Sequence, residues 1–268
     1  MIMPAFFMRP PPRWARSWMP LALVLAGAPA LPAADKPPPP PRVTSLVPLA
    51  VPQGFSGTVR LRGVGLKDAT AVRVDGTAQP LKLEIKEKKD AAAPAGMEAS
   101  LVGDSEIVVE LVLPAEAPAG PLPLVVAVGE DTAAPVTLIV CPAAALTATG
   151  DPGSGFQNAR MIEAGQHVPG AIRAPRSVDV YSVAAIAGKR QQVTIRARGI
   201  ASLLDPLLTV YDRNGLQLAV QDDASMDNLD AALEVTPSAD GPIFLVVQDA
   251  MDFGSDWHSY LLEVAACP

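Results

Sequence analysis

From residue 42 onward the chain repeats one pattern: short runs of alternating apolar and polar residues, broken by glycine, proline, asparagine or aspartate. Thr58-Val59-Arg60-Leu61-Arg62 is one such run, and Leu81, Leu83 and Ile85 alternate with Lys82, Glu84 and Lys86 in another. A period of two sends successive side chains to opposite faces of an extended strand, whereas an amphipathic helix needs a period near 3.6. With 20 glycines and 29 prolines among 268 residues, the breaks come too often for long helices. The chain is therefore expected to be all-β. Hydrophobic residues make up 49% of it and aromatic ones only 4%, so its cores must be built from aliphatic side chains.

The most informative stretch runs from Asp205 to Asp256. Residues 207–211 and 216–220 flank Asn214-Gly215, which predicts a β-hairpin with a type I′ turn. Leu216, Leu218 and Val220 alternate with Gln217, Ala219 and Gln221, predicting one buried face. The same stretch carries eleven carboxylates against one base, Arg213. An acidic loop holding Asp222, Asp223, Asp227 and Asp230 follows the hairpin, and residues 243–247 are apolar on both faces.

The order Asp179-x-Tyr181, Gly188, Asp205-Pro206, Tyr211-Asp212, Gly215, Asp222-Asp223, Asp230, Gly241, Asp249 and Tyr260 resembles the bacterial pre-peptidase C-terminal domain. That family is a secreted β-sandwich related to the collagen-binding modules of collagenases, and the resemblance covers residues 157–266. Ile243-Phe244 departs from the Tyr-rich strand start usual in the family, and no peptidase domain lies upstream in this sequence. Earlier in the chain, residues 41–48 (PRVTSLVP), then Gly54, then residues 61–66 (LRGVGL), resemble the immunoglobulin-like IPT/TIG domain.

These patterns divide the sequence into five parts. Residues 1–34 are expected to be a signal peptide, with Arg9, Arg13 and Arg16 before an apolar stretch at 21–30 and small residues after it. Pro20, Pro29 and Pro32 interrupt a stretch too short for a membrane span, so no span is expected after cleavage. Residues 35–41 form a proline-rich spacer, stiff in polyproline II. Residues 42–141 are expected to form an immunoglobulin-like sandwich of about seven strands. Residues 142–155 are a linker, loosest at TATGDPGSG. Residues 156–268 are expected to form a jelly-roll-like sandwich of about eight strands. Residues 86–90 are expected in a protruding charged loop.

The net charge of −7 argues against nucleic acid as a partner, because phosphate binding needs a basic surface. Arg196 and Arg198 fall on the outward face of a strand, either as a strip for a polyanionic glycan or as half of a pair of complementary surfaces. Catalysis lacks a constellation. Gly153-Ser154-Gly155 does not match a nucleophile elbow, and the two histidines, His167 and His258, are too far apart for a zinc site. His258 beside Asp256 is read as an exposed strand-end histidine.

Calcium takes six to eight oxygen ligands, and Asp222, Asp223, Asp227 and Asp230 with Asn228 offer several. The alternative is a solvated acidic loop. Cys141 and Cys267 each end a domain's last strand and precede proline, so an exported chain could pair them or leave both as thiols. The functional expectation is a non-catalytic module, secreted or at the cell envelope, that binds an extracellular protein or polysaccharide. The alternative is a helper or inhibitor of a separately encoded secreted peptidase.

Overall fold

The computed structural model describes residues 39–76, 81–148 and 150–266. The expected signal peptide and Cys267 lie outside them. The alternating runs become strands, which follow one another as β1 (Arg42–Val47), β2 (Ala50–Pro52), β3 (Ser56–Val64), β4 (Ala69–Val74), β5 (Lys82–Asp90), β6 (Ser105–Val112), β7 (Gly120–Val128), β8 (Asp131–Thr132) and β9 (Val136–Cys141). They continue as β10 (Arg160–Ile162), β11 (His167–Ala171), β12 (Asp179–Ala185), β13 (Gln191–Arg196), β14 (Pro206–Tyr211), β15 (Gln217–Gln221), β16 (Ala231–Val235), β17 (Gly241–Asp249) and β18 (Ser259–Ala266).

The first nine strands make two facing sheets, β1-β3-β6-β5 and β2-β9-β7-β4, with β8 added to β7. The chain thus enters on one sheet and crosses at β2 to run parallel to β9 on the other. With β1, β3, β4, β5, β6, β7 and β9 taken as strands A to G, the two sheets reproduce the A-B-E-D and G-F-C arrangement of an immunoglobulin-like sandwich. Val59 and Leu61 from β3, Ile107, Val109 and Leu111 from β6, and Leu124, Val126 and Leu138 from the opposite sheet fill the core.

The second sandwich pairs its strands from the outside in: β11 with β18, β12 with β17, β13 with β16 and β14 with β15. This nested pairing splits eight strands between the sheets β11-β18-β13-β16 and β12-β17-β14-β15, the arrangement of a jelly roll. β10 adds a fifth strand beside β12, in parallel. Val193, Ile195, Leu233 and Leu262 from one sheet meet Tyr181, Leu208, Val210 and Leu245 from the other.

The two sandwiches share packing. Leu46 N–H donates to the Ala201 carbonyl at 2.8 Å. Ile200 and Leu261 join the first core, and Val102 packs with Leu203 and Trp257 in a small cluster of its own. The described residues of the two sandwiches form one compact unit.

Three local expectations are corrected. The 214–215 turn is not type I′, because Asn214 is not among the residues with positive φ. Gly215 N–H instead donates to the Asp212 carbonyl at 3.0 Å, and Gly215 alone takes the left-handed conformation at φ 83°. Asp212 Oδ1 stabilises this longer loop by accepting from Asn214 N–H and Leu216 N–H, both at 2.8 Å. The register slips where the hairpin closes, and β15 lies at a sheet edge, so Leu216 and Val220 are exposed rather than buried. Finally, residues 86–90 continue strand β5 instead of protruding. Lys86 lies 2.9 Å from both Glu84 and Glu110, so the cross-strand neighbour Glu110 offsets the basic charge.

Candidate functional site

Strand β17 turns Ile243, Leu245 and Val247 into the core, which leaves Phe244 and Val246 on the outer face of the five-stranded sheet. Residues paired across a ladder share a face. Phe244 is flanked by Ser182 and Tyr211, and Ser182 in turn by Met161. Val246 is flanked by Thr209, and Thr209 by Val220. The outer face therefore carries two adjacent rows, largely apolar, running across the strands.

Phe156 lies on these rows from outside the sheet. Its ring stacks on Phe244 with centroids 4.6 Å apart and planes at 19°, and sits 5.3 Å from Tyr211 at 56°. The segment before it fixes its place. Gly153 is left-handed at φ 71°, and a Cβ there would come within 2.1 Å of the Asn158 carbonyl oxygen. Val180 N–H donates to the Gly153 carbonyl at 3.0 Å, and Asn158 Oδ1 accepts from Ser154 N–H at 3.2 Å. The part of the linker read as loose is thus hydrogen-bonded to β12. Phe156 is 40% exposed and Met161 82% exposed, and Val220 joins them in open solvent. Exposed apolar side chains gathered on one face of a sheet offer a surface on which a partner can pack.

Sequence reasoning missed Phe156 and Met161 and noted Phe244 only as a departure from a family pattern. The signal was present in β17, where Phe244 alternates with Ile243 and Leu245 and so must face away from the core.

The acidic residues do other work. Asp230 is buried, and its Oδ1 accepts from Ala197 N–H at 3.0 Å and Gly199 N–H at 3.2 Å. Asp249, also buried, accepts from Asp205, Met251 and Phe253 N–H groups at 3.0, 3.0 and 2.8 Å. The Asp212 carboxyl is held below its ordinary pKa chiefly by the Leu216 N–H. Asp222, Asp223 and Asp227 stand exposed in the loop. Among the described residues no group of three or more His, Cys, Asp or Glu side chains is placed to hold a metal ion. As placed, Asp222, Asp223, Asp227 and Asp230 do not form a calcium shell.

Arg196 and Arg198 do not form an open basic strip. Arg196 lies 3.4 Å from Glu263, which also meets His167 Nδ1 at 3.0 Å, and Arg198 lies 3.8 Å from Asp205. His258 is fully buried, not an exposed strand-end residue: it directly precedes β18, next to Trp257 of the small cluster shared by the two sandwiches. Its Nδ1 meets Ser255 Oγ at 2.8 Å, and that hydroxyl oxygen also accepts from Trp257 N–H at 3.1 Å. Burial lowers the His258 pKa. Asp256 makes no part of this contact and faces Arg173 at 3.9 Å. Cys141 is buried, which pushes its thiol up to about 11.

The motif residues Asp179, Tyr181 and Tyr260 do come together. Tyr260 OH donates to Asp179 Oδ2 at 2.5 Å and lies 2.8 Å from Tyr181 OH, all three residues being buried. Burial pushes Asp179 up to about 6 and Tyr181 up to about 12.

Neither a protein-family model nor a curated protein sequence matches this chain. Solved structures give distant likenesses. The pre-peptidase C-terminal domain of collagenase from Bacillus anthracis is 15% identical with a TM-score of 0.30, covering 39% of this chain and 92% of that one. The glucan-utilisation protein SGBP-B of Bacteroides ovatus, in complex with a mixed-linkage heptasaccharide, is 11% identical with a TM-score of 0.26, covering 81% and 72%. The CBM51-2 and INT domains of Clostridium perfringens ZmpB, in complex with GlcNAc, are 13% identical with a TM-score of 0.29, covering 69% and 41%. Likenesses of this size carry no statement about what this chain does.

Proposed function

We propose that the chain is a non-catalytic, exported binding module that holds an extracellular polysaccharide on the outer face of its second sandwich. The observation that carries this reading is the partly exposed ring of Phe156, stacked on Phe244 beside Tyr211. A flat ring offers an apolar surface to the C–H face of a sugar, and stacking on a second ring keeps it in place without cost at binding. The apolar rows run across an open sheet, which suits an extended polymer better than a small enclosed ligand. His258, although it meets Ser255 Oγ, is fully buried away from any substrate, and His167 is paired with Glu263, which supports a binding role over a catalytic one. Export rests on the Arg-flanked apolar stretch near the N-terminus.

The test is depletion of the purified protein from solution by suspended cellulose, chitin or peptidoglycan sacculi. Fibrillar collagen serves as the protein arm, since the resemblance to the pre-peptidase C-terminal family points there. Retention on a polysaccharide supports the proposal. Retention on collagen alone, or co-purification only with a secreted peptidase, replaces it with the corresponding protein-binding reading.

A further inference from the structure

Strand β15 is the last strand on one side of the five-stranded sheet, paired with β14 alone. Every other edge strand among the described residues carries a charged side chain or a proline. β5 holds seven charged residues in nine, β1, β4, β8, β10 and β16 hold at least one each, and β2 and β11 hold Pro52 and Pro169. Charges and missing N–H groups are the usual means by which an edge refuses a further strand. β15, with the sequence QLAVQ, has neither.

The edge is also open. Among the described residues no backbone group outside its own hairpin bonds to residues 217–221, so the N–H and C=O groups that point away from β14 are unpaired by protein. Leu216 is 66% exposed and Val220 51% exposed beside them.

We propose that β15 pairs antiparallel with β15 of a second copy of this chain, about a two-fold axis, and joins the two five-stranded sheets into one of ten strands. Such a contact needs only one self-complementary patch. Charge sets the direction. At one end of β15 stands the exposed Arg213, whose neighbour Asp212 is committed to its own turn. At the other end stands the loop with Asp222, Asp223 and Asp227 exposed. Antiparallel pairing brings the Arg213 end of each copy beside the acidic end of the other, whereas parallel pairing would set two acidic loops side by side. An extended segment of another protein would have to bring that base itself. Five residues a side fall below the standard interface area, so the dimer should be weak, with a Kd on the order of 10 µM.

Pairing about this axis keeps both outer faces on the same side. The two β17 strands then lie five strand spacings apart, about 24 Å. On the binding reading given above, one polymer spans both Phe156–Phe244 stacks and gains avidity. The dimer itself does not rest on that reading.

The test is sedimentation velocity of the purified protein between about 1 and 200 µM, a range that brackets the expected Kd. Wild type should shift from monomer to dimer across it. Gln217→Lys with Val220→Lys, both at exposed positions, sets like charges against each other across the pair and should weaken the dimer at least about tenfold at unchanged Tm. Arg213→Glu should weaken it about tenfold, and adding Asp222→Lys and Asp223→Lys should restore it. Phe156→Ala should leave it intact. A wild type that stays monomeric would overturn the proposal and leave the edge to an extended segment of another protein. A dimer indifferent to the lysine pair or to the charge reversal, or one dissolved by Phe156→Ala, would overturn it as well. Retention on polysaccharide is read separately, so loss of the dimer leaves the outer-face site standing, and failure of retention leaves the dimer standing.

Discussion

Asp230 Oδ1 accepts the backbone N–H of Ala197 at 3.0 Å, joining the acidic loop to the end of β13 across 33 positions. The neighbouring Gly199 N–H donates to the same oxygen, and a side chain at 199 would crowd the carboxylate. Asp230→Ala should therefore leave two partly or fully buried donors without an acceptor and cost about 1–3 kcal/mol. Asp227→Ala, at an exposed position, should stay within about 0.5 kcal/mol of wild type. Urea unfolding of both variants checks the contrast, and equal losses would contradict it.

Calcium stands as a proposal that requires the loop to close around the ion, since Asp222, Asp223 and Asp227 are exposed and Asp230 is already engaged. It predicts a higher Tm in millimolar calcium than in chelator, by an amount equivalent to about 2.7 kcal/mol at a hundred times Kd. Asp222→Ala and Asp227→Ala should abolish that rise. Identical melts in both buffers would remove calcium from the description and leave the outer face untouched.

Asp179 gives a pH signature. Burial raises its folded pKa to about 6, above the ordinary value of 3.8 for the unfolded chain. The folded state then holds the proton more tightly, so this group's contribution is complete below pH 3.8, declines as pH rises, and is lost above about 6. Asp179→Asn keeps an acceptor for Tyr260 OH without the charge. Its stability relative to wild type should rise by on the order of 2 kcal/mol between pH 4 and pH 7. A difference that does not change with pH would contradict the assignment.

Gly170 lies against the Tyr260 ring, and a Cβ added there would come within 2.2 Å of the Cζ atom. Gly170→Ala should push Tyr260 off Asp179 and Tyr181 and cost about 1–3 kcal/mol through overpacking. Thermal unfolding together with the near-ultraviolet tyrosine signal reads both consequences. A variant that melts like wild type would show that β11 has room to move.

Much of the fold was legible because a two-residue period leaves little freedom. Val193 and Ile195, or Leu81, Leu83 and Ile85, can serve only as strands, and turn formers between them limit strand length. β15 defeated the same reasoning, since alternation states which residues share a face but not whether that face is covered. Leu216 and Val220 lie on an edge strand, and only the sheet order reveals it. The acidic stretch misled for a related reason. Carboxylates counted along a sequence suggest repulsion or a metal, whereas Asp212, Asp230 and Asp249 each accept backbone N–H groups at a turn. The aromatic site depended on Phe156, which comes from the segment between sandwiches and reaches Phe244 across 88 positions of sequence. No local pattern announces such a contact.

The most direct measurement of the proposed role is depletion by cellulose, chitin and sacculi of wild type, Phe156→Ala and Leu101→Ala, with Tm measured in parallel. Leu101 is an exposed apolar residue on the first sandwich and serves as the control. The expected result is retention of wild type and of Leu101→Ala on at least one polysaccharide. Phe156→Ala should bind it about tenfold or more weakly while losing only about 1 kcal/mol of stability, the removal of one stacking contact on an otherwise intact fold. Equal retention of all three proteins, or retention of none on any polysaccharide, would contradict a polysaccharide site at the Phe156–Phe244 stack.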